Sequence, residues 1–177
     1  FENIKTRRVT RAFSDKPVSK EHLRHLLEAA RWASNAGNRR IHKFVVIQDQ
    51  ETIRQIRSVS PGMLGWPTAL IIICTDAEKA KIEGVKLALD TTTWIDVGTA
   101  SQNMMLAAHE LGLGSCPTTS FSHSGVRAVL NLPAHLEPEY ILQVGHPLPQ
   151  KRVMRAGVST KLHIDDFTYW GAFSESS

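Results

Sequence analysis

The sequence predicts one domain of mixed helices and strands, organised around a single long, largely buried helix. Three observations carry this expectation. The chain has 177 residues, 42% hydrophobic and 21% charged, the make-up of an ordinary globular domain with a substantial core. Strand-like runs at Lys43–Gln48, Ala69–Cys74 and Tyr140–Val144 alternate with stretches of helical periodicity. Between them lies residues 94–121, WIDVGTASQNMMLAAHELGLGSCPTTSF, whose first eighteen residues carry only the charges of Asp96 and Glu110. Apolar or small residues recur there at 94, 97, 98, 101, 104, 105, 108 and 111, and Ala100 and Ala107 extend the apolar surface further round. A helix that is small and apolar on most sides is buried on most sides, against a sheet, a second subunit, or both.

Residues 1–8 read as the end of a helix. Arg7–Arg11 passes into an extended piece closed by Asp15-Lys16-Pro17. Ser19 is a candidate N-cap, with Glu21 in the first turn, for a helix whose stripe is Leu23, Leu26, Leu27 and Ala30. Ser34-Asn35-Ala36-Gly37-Asn38 has the composition of a loop. Lys43–Gln48 follows as a strand, and Asp49 is placed to cap a short helix over Glu51–Val59. The run ALIIIC at 69–74 has no polar residue, so both faces of that strand should be covered. Residues 76–93 read as partly helical. The central helix should run from Trp94 to about Leu111, with Gly112 as its left-handed cap and Gly114 in a turn. A strand over Ser115–Thr118, a helix capped by Ser122 and ended by Asn131-Leu132-Pro133, and the strand Tyr140–Val144 complete the core.

From Leu148 onward the sequence offers no core element. It ends on aromatic residues, Phe167, Tyr169, Trp170 and Phe173, which should pack on the body or on a partner. The order of the strands does not follow from the pattern.

The net charge of +4 is unevenly placed: residues 1–43 hold eleven Lys/Arg against four Asp/Glu, the rest ten against thirteen. A basic leading segment suits an anionic ligand or nucleic acid, or is simply a solvated surface. No basic motif interleaved with aromatics supports nucleic acid. The longest apolar run, Ala69–Cys74, is far too short to span a bilayer. Cys74 and Cys116 lie in apolar, strand-like contexts and fit a reducing, cytoplasmic setting better than a disulfide.

Motifs for catalysis by the protein's own side chains are missing: there is no GxGxxG, Walker loop, HExxH, CxxC or GxSxG. His22 and His25, three apart on a helix, have no third ligand near in sequence and read as surface residues. His109, near the end of the central helix, suits the helix dipole. What remains is a binding constellation: Arg7, Arg8 and Arg11, whose guanidinium groups match phosphate oxygens; the amides and hydroxyl of Ser34–Asn38; and the polar segment Pro117–Ser120. Such a set without acid–base machinery is expected where a cofactor does the hard chemistry.

With these pieces in order, the chain resembles the FMN-dependent nitroreductase superfamily over about residues 4–152. RRVTRAF at 7–13 with Lys16-Pro17-Val18 resembles its N-terminal signature, and LLEAARWAS at 26–34 with Asn38 and Phe44-Val45-Val46 its second. Asp96-Val97-Gly98, Ser101–Ala108 and Leu111–Cys116 resemble its central helix; Leu130–Pro133 and Val144–Pro147 resemble its final pair.

The resemblance implies an α+β fold, a three-layer α-β-α sandwich with a mostly antiparallel sheet, in an intertwined homodimer. Residues 1–147 would form the FMN-binding domain and 148–177 an arm packed on the partner subunit. FMN would lie at the interface, with NADH or NADPH as reductant and a small oxidant such as a nitroaromatic or quinone as acceptor, in a ping-pong cycle. By position, Arg7, Arg8 and Arg11 would meet the phosphate and ribityl, with the Val9 backbone beside the ring. Ser34, Asn35 and Asn38 would line the flavin from one subunit and Pro117, Thr118, Thr119 and Ser120 from the other. Arg152 would also reach the phosphate. No catalytic side chain, metal, nucleic acid or membrane is implied. The chain departs from the pattern at Arg40-Ile41-His42, where Gln-Pro-Trp is common; Arg40 and His42 would there add positive potential beside the cleft. It departs also at Val9, where Ser is frequent.

Overall fold

The computed structural model describes residues 1–149 and 163–171. The elements follow the local chemistry of the sequence. A short helix α1 (Glu2–Thr6) precedes α2 (Lys20–Arg31), which starts where Ser19 Oγ accepts the His22 N–H at 3.1 Å and buries Leu23, Leu26 and Ala30. Strand β1 (His42–Ile47) leads to α3 (Gln50–Ser58), capped by Asp49, whose carboxylate accepts from Thr52 N at 2.8 Å. Strand β2 (Ala69–Asp76) and helix α4 (Ala77–Ile82) follow, then the central helix α5 (Thr92–Glu110) and β3 (Gly114–Thr118). Ser122 caps α6 (His123–Leu130), and Asn131 ends it in the left-handed region at φ 48°; β4 spans Leu136–Gly145. The strand expected over Tyr140–Val144 thus begins four residues earlier, and Gly114 opens β3 rather than forming a turn.

The four strands form one antiparallel sheet in the order β1-β2-β4-β3. All eight residues of β2 are buried, as its unbroken apolar run requires. Its alternate side chains feed two cores. Ala69, Ile71 and Ile73 pack with α2 and α5, while Leu70, Ile72 and Cys74 pack with α3 and α6. Helices therefore cover both faces of the sheet. Full burial of each such isoleucine or leucine stabilises the fold by about 1.5–3 kcal/mol.

Helix α5 buries Val97, Ala100, Ser101, Met104, Met105, Ala107 and Ala108, as its small, apolar character predicts. One face of its first turns is different: Trp94 and Ile95 are 57% and 60% exposed, and Gly98 is exposed too. Of the expected stripe, Trp94 and Gly98 are thus not covered within the single chain.

The segment after α1 is stitched to the far edge of the sheet. Val9 bridges Ser115 in parallel, Thr10 N–H donates to Ser115 O at 2.9 Å, and Phe13 bridges Pro147. The approach is close enough to demand glycine. A Cβ on Gly114 would stand 2.6 Å from Thr10 Cγ2, and one on Gly145 would stand 2.8 Å from Phe13 Cδ1.

Candidate functional site

The arginine segment lies at the C-terminal end of α5. Asn3 Nδ2 donates to Leu106 O at 3.2 Å, and the Thr6 hydroxyl meets His109 Nε2 at 2.9 Å, so α5 anchors α1 directly. The three arginines then diverge. Arg8 folds back, its Nη1 donating to Lys5 O at 2.6 Å and Arg7 O at 2.8 Å. Arg7 is half-buried, near enough to Tyr140 to act on its hydroxyl, and its Nη1 is buried with no hydrogen-bond partner. Burial raises the Tyr140 phenol above its usual range, with Ser101 and Arg7 opposing. Arg11 is exposed and acts on Cys116 in β3. Among the described residues, no carboxylate forms an ion pair with any of the three.

The end of β3 belongs to the same neighbourhood. Thr118 does not present its hydroxyl outward: it is 2% exposed, and its Oγ1 accepts from Gln143 Nε2 at 2.8 Å. Thr119 and Ser120 are exposed, and Ser120 O accepts from Gly62 N at 2.9 Å. That bond brings in a loop that sequence reasoning passed over. A Cβ on Gly65 would come within 2.9 Å of both Arg11 O and Gln143 Oε1. The loop thereby sets Leu64 and Trp66, both exposed, beside Arg11 and Ser120. Arg57 braces it, with its guanidinium 3.8 Å from the Trp66 ring centroid and Nη1 donating to Gly65 O. Gln143 was also missed. A glutamine inside an apolar strand, wholly buried, was the available signal.

The Ser34–Asn38 loop sits at the other end of α5. The Asp96 carboxylate accepts from Ala36 N at 3.0 and 3.2 Å, the Thr99 hydroxyl donates to Ser34 O at 2.9 Å, and Asn103 Nδ2 donates to Ala29 O at 3.2 Å. The loop turns tightly: Gly37, Asn38 and Arg40 have φ of 60°, 54° and 50°, and Arg40 Nε donates to Asn38 Oδ1 at 3.1 Å. A cavity of about 260 Å³ opens under it, lined among others by Ser34, Asn35, Arg40, His42, Phe44 and Asp96. Asn35 Oδ1 and His42 Nε2 are buried without partners. Burial pushes the His42 imidazole below its usual range, against Asp96 and a hydrogen bond to the Thr93 backbone. Burial thus works against a charge on His42, contrary to the expectation that it adds positive potential.

Each chain thus carries two polar surfaces rather than one closed pocket. Helix α1, which leads into Arg7, is tied to the C-terminal part of α5, and Ser34–Asn38 to its N-terminal part, about 15 Å away along the helix axis at 1.5 Å per residue. Arg152 lies outside the described residues. Among the described residues no group of three or more potential metal ligands forms.

The arrangement is that of a known family, whose model, described as the nitroreductase family, matches residues 4–65 and 59–146. The chain belongs to the nitroreductase family. A putative NADH dehydrogenase/NAD(P)H nitroreductase of Methanothermobacter thermautotrophicus is similar at 33% identity over 83% of this chain and 76% of that protein. An FMN reductase (NADPH) of Bacillus subtilis is similar at 27% identity over 96% and 77%. Among solved structures, an FMN-dependent nitroreductase from Clostridium difficile superposes with a TM-score of 0.77 at 26% identity, covering 97% of this nitroreductase-family chain and 98% of the other.

Proposed function

We propose that this protein is an FMN-dependent oxidoreductase that passes electrons from NADH or NADPH to a small oxidised acceptor, a nitroaromatic or a quinone, in a ping-pong order. The observation that carries the cofactor is the Arg7 guanidinium: a buried donor without partner, beside two further arginines that pair with no carboxylate among the described residues. Those residues fit a terminal phosphate. Asn35 Oδ1, also idle, fits a donor on the flavin.

Bound FMN would supply the two-electron chemistry, and the chain supplies the rest. Arg7, Arg8 and Arg11 would hold the phosphate, the Val9 backbone would lie beside the ring, and Arg152 would add a further cation. Thr119 and Ser120, with Pro117 and Thr118 fixing their strand, would border the ring from the same subunit. Ser34, Asn35 and Asn38 would border it from the partner. The two surfaces stand apart in one chain, and a homodimer that sets one against the other would complete the site. The exposed Trp94, Ile95 and Gly98 face, and the 148–177 arm with Phe167 and Trp170, would form that interface. The buried, free Cys74 and Cys116 accord with a cytoplasmic setting. Among the described residues, no helix is long and apolar enough to cross a membrane.

The test is the visible spectrum of the purified protein before and after anaerobic NADH or NADPH. We expect a flavin spectrum that bleaches within the mixing time of a hand-operated cuvette. A bound flavin that neither nucleotide bleaches would make the protein a flavin carrier without turnover. Failure to bind FMN at all would remove the cofactor assignment.

A further inference from the structure

On the same face of the sheet, beyond the first turn of α5, lies a second cavity of about 160 Å³, distinct from the Ser34–Asn38 loop. Thr75, Leu87, Thr93, Trp94, Glu137 and Glu139 line it. Thr75 and Thr93 are 2% and 5% exposed. Neither Oγ1 accepts a hydrogen bond, and the Thr75 hydroxyl is close enough to the Glu139 carboxylate to hold it down. The carboxylates differ. Glu137 is already engaged, by His123 Nδ1 at 3.0 Å and Arg127 Nη1 at 3.1 Å. Glu139 is half-buried, and among the described residues no cation pairs with it. Burial raises its carboxyl above the usual range, with Thr75 and His123 opposing.

We infer that this cavity binds a small primary alkylammonium ion, with Glu139, Thr75 and Thr93 receiving its three N–H groups. An ammonium has three donors and no acceptor, and among the described residues the cavity offers a carboxylate without an ion-pair partner and two hydroxyl oxygens able to accept. A neutral alcohol would leave the carboxylate without a counter-charge. A divalent metal would need more oxygen ligands than two hydroxyls and one free carboxylate provide. Leu87 and Trp94 suit a short alkyl chain, and the Trp94 ring is also able to attract a cation by its face. At about 30 Å³ per water the volume equals roughly five waters, which limits the ligand to a handful of heavy atoms.

The probe is n-butylammonium chloride, titrated into the full chain and followed by saturation-transfer NMR, with n-butanol as the neutral isostere. We expect saturable binding of the amine that is about tenfold or more tighter than that of the alcohol. Glu139→Gln, nearly isosteric, should abolish that preference. Thr93→Val should weaken amine binding several-fold, and Thr93→Ser should restore it. Circular dichroism on each variant establishes that the fold is kept. Equal binding of amine and alcohol, no saturable amine binding, or unchanged affinity in Glu139→Gln would each overturn the inference. The FMN spectrum of Glu139→Gln should match wild type, so the outcome is read separately from the flavin site.

Discussion

An arginine with idle donors offers a phosphate more than one whose donors are spent on its own backbone. In this chain Arg7 keeps a buried Nη1 without a partner, whereas Arg8 spends its Nη1 on two carbonyls. Arg7→Gln should therefore cost about 1.5–3 kcal/mol of FMN affinity, the scale of hydrogen bonds to charged groups. Riboflavin, which has no phosphate, should lose little; fluorescence quenching titrations of both flavins check this. His42 supplies a prediction in pH. Its folded-state pKa is depressed by burial, so the unfolded chain takes up its proton first as pH falls. The neutral imidazole's advantage is intact above about pH 6.5, the unfolded value, and is progressively lost below it. Urea denaturation at pH 7.5 and pH 5.5 should show a smaller acid-induced loss in His42→Gln than in wild type.

Helix α5 acts as the frame for both polar surfaces, through hydrogen bonds rather than apolar packing alone. Asp96 holds Ala36 N, Thr99 holds Ser34 O, and Asn3 and Thr6 reach Leu106 and His109 from the other side. Asp96→Ala would leave the Ala36 N–H without its acceptor in a part-buried site. Its expected cost is about 1–3 kcal/mol in a urea melt. Under the proposed function it should also weaken FMN, because the Ser34–Asn38 loop loses its anchor. Ser122→Ala tests the cap of α6. Loss of its hydrogen bond to Gly125 N at 3.1 Å should cost about 1 kcal/mol and leave flavin binding unchanged.

At the scale of the whole molecule, the chain exposes more aromatic surface than one subunit has use for. Trp170 is 84% exposed, and Phe167, Tyr169 and Trp94 are all more than half exposed. Large aromatic side chains left this exposed suit contact with another molecule. Under the proposed homodimer, removal of residues 162–177 should weaken both the dimer and FMN binding. Multi-angle light scattering over a dilution series, with flavin absorbance recorded in the same run, checks the two together. A monomer that retains FMN at micromolar concentration would show that one chain suffices for the site.

Local chemistry settled much of this protein in advance. Ser19, Asp49 and Ser122 cap the helices they were expected to cap, because capping depends on one side chain and the next three residues. The run ALIIIC made β2 a strand with two covered faces, because no residue in it tolerates water. The family was also legible, since its motifs are short and keep their order. Tertiary structure decided the sheet order β1-β2-β4-β3, which depends on pairing between segments far apart in the chain. It gave the three nearby arginines different surroundings, turned Thr118 inward onto Gln143, and favoured the neutral form of His42 by burying it. It brought the Gly62–Trp66 loop to Arg11 and Ser120, and it left the Trp94 face of α5 uncovered. Each of these depends on what lies across space from a residue, and periodicity along the chain carries no record of that neighbour.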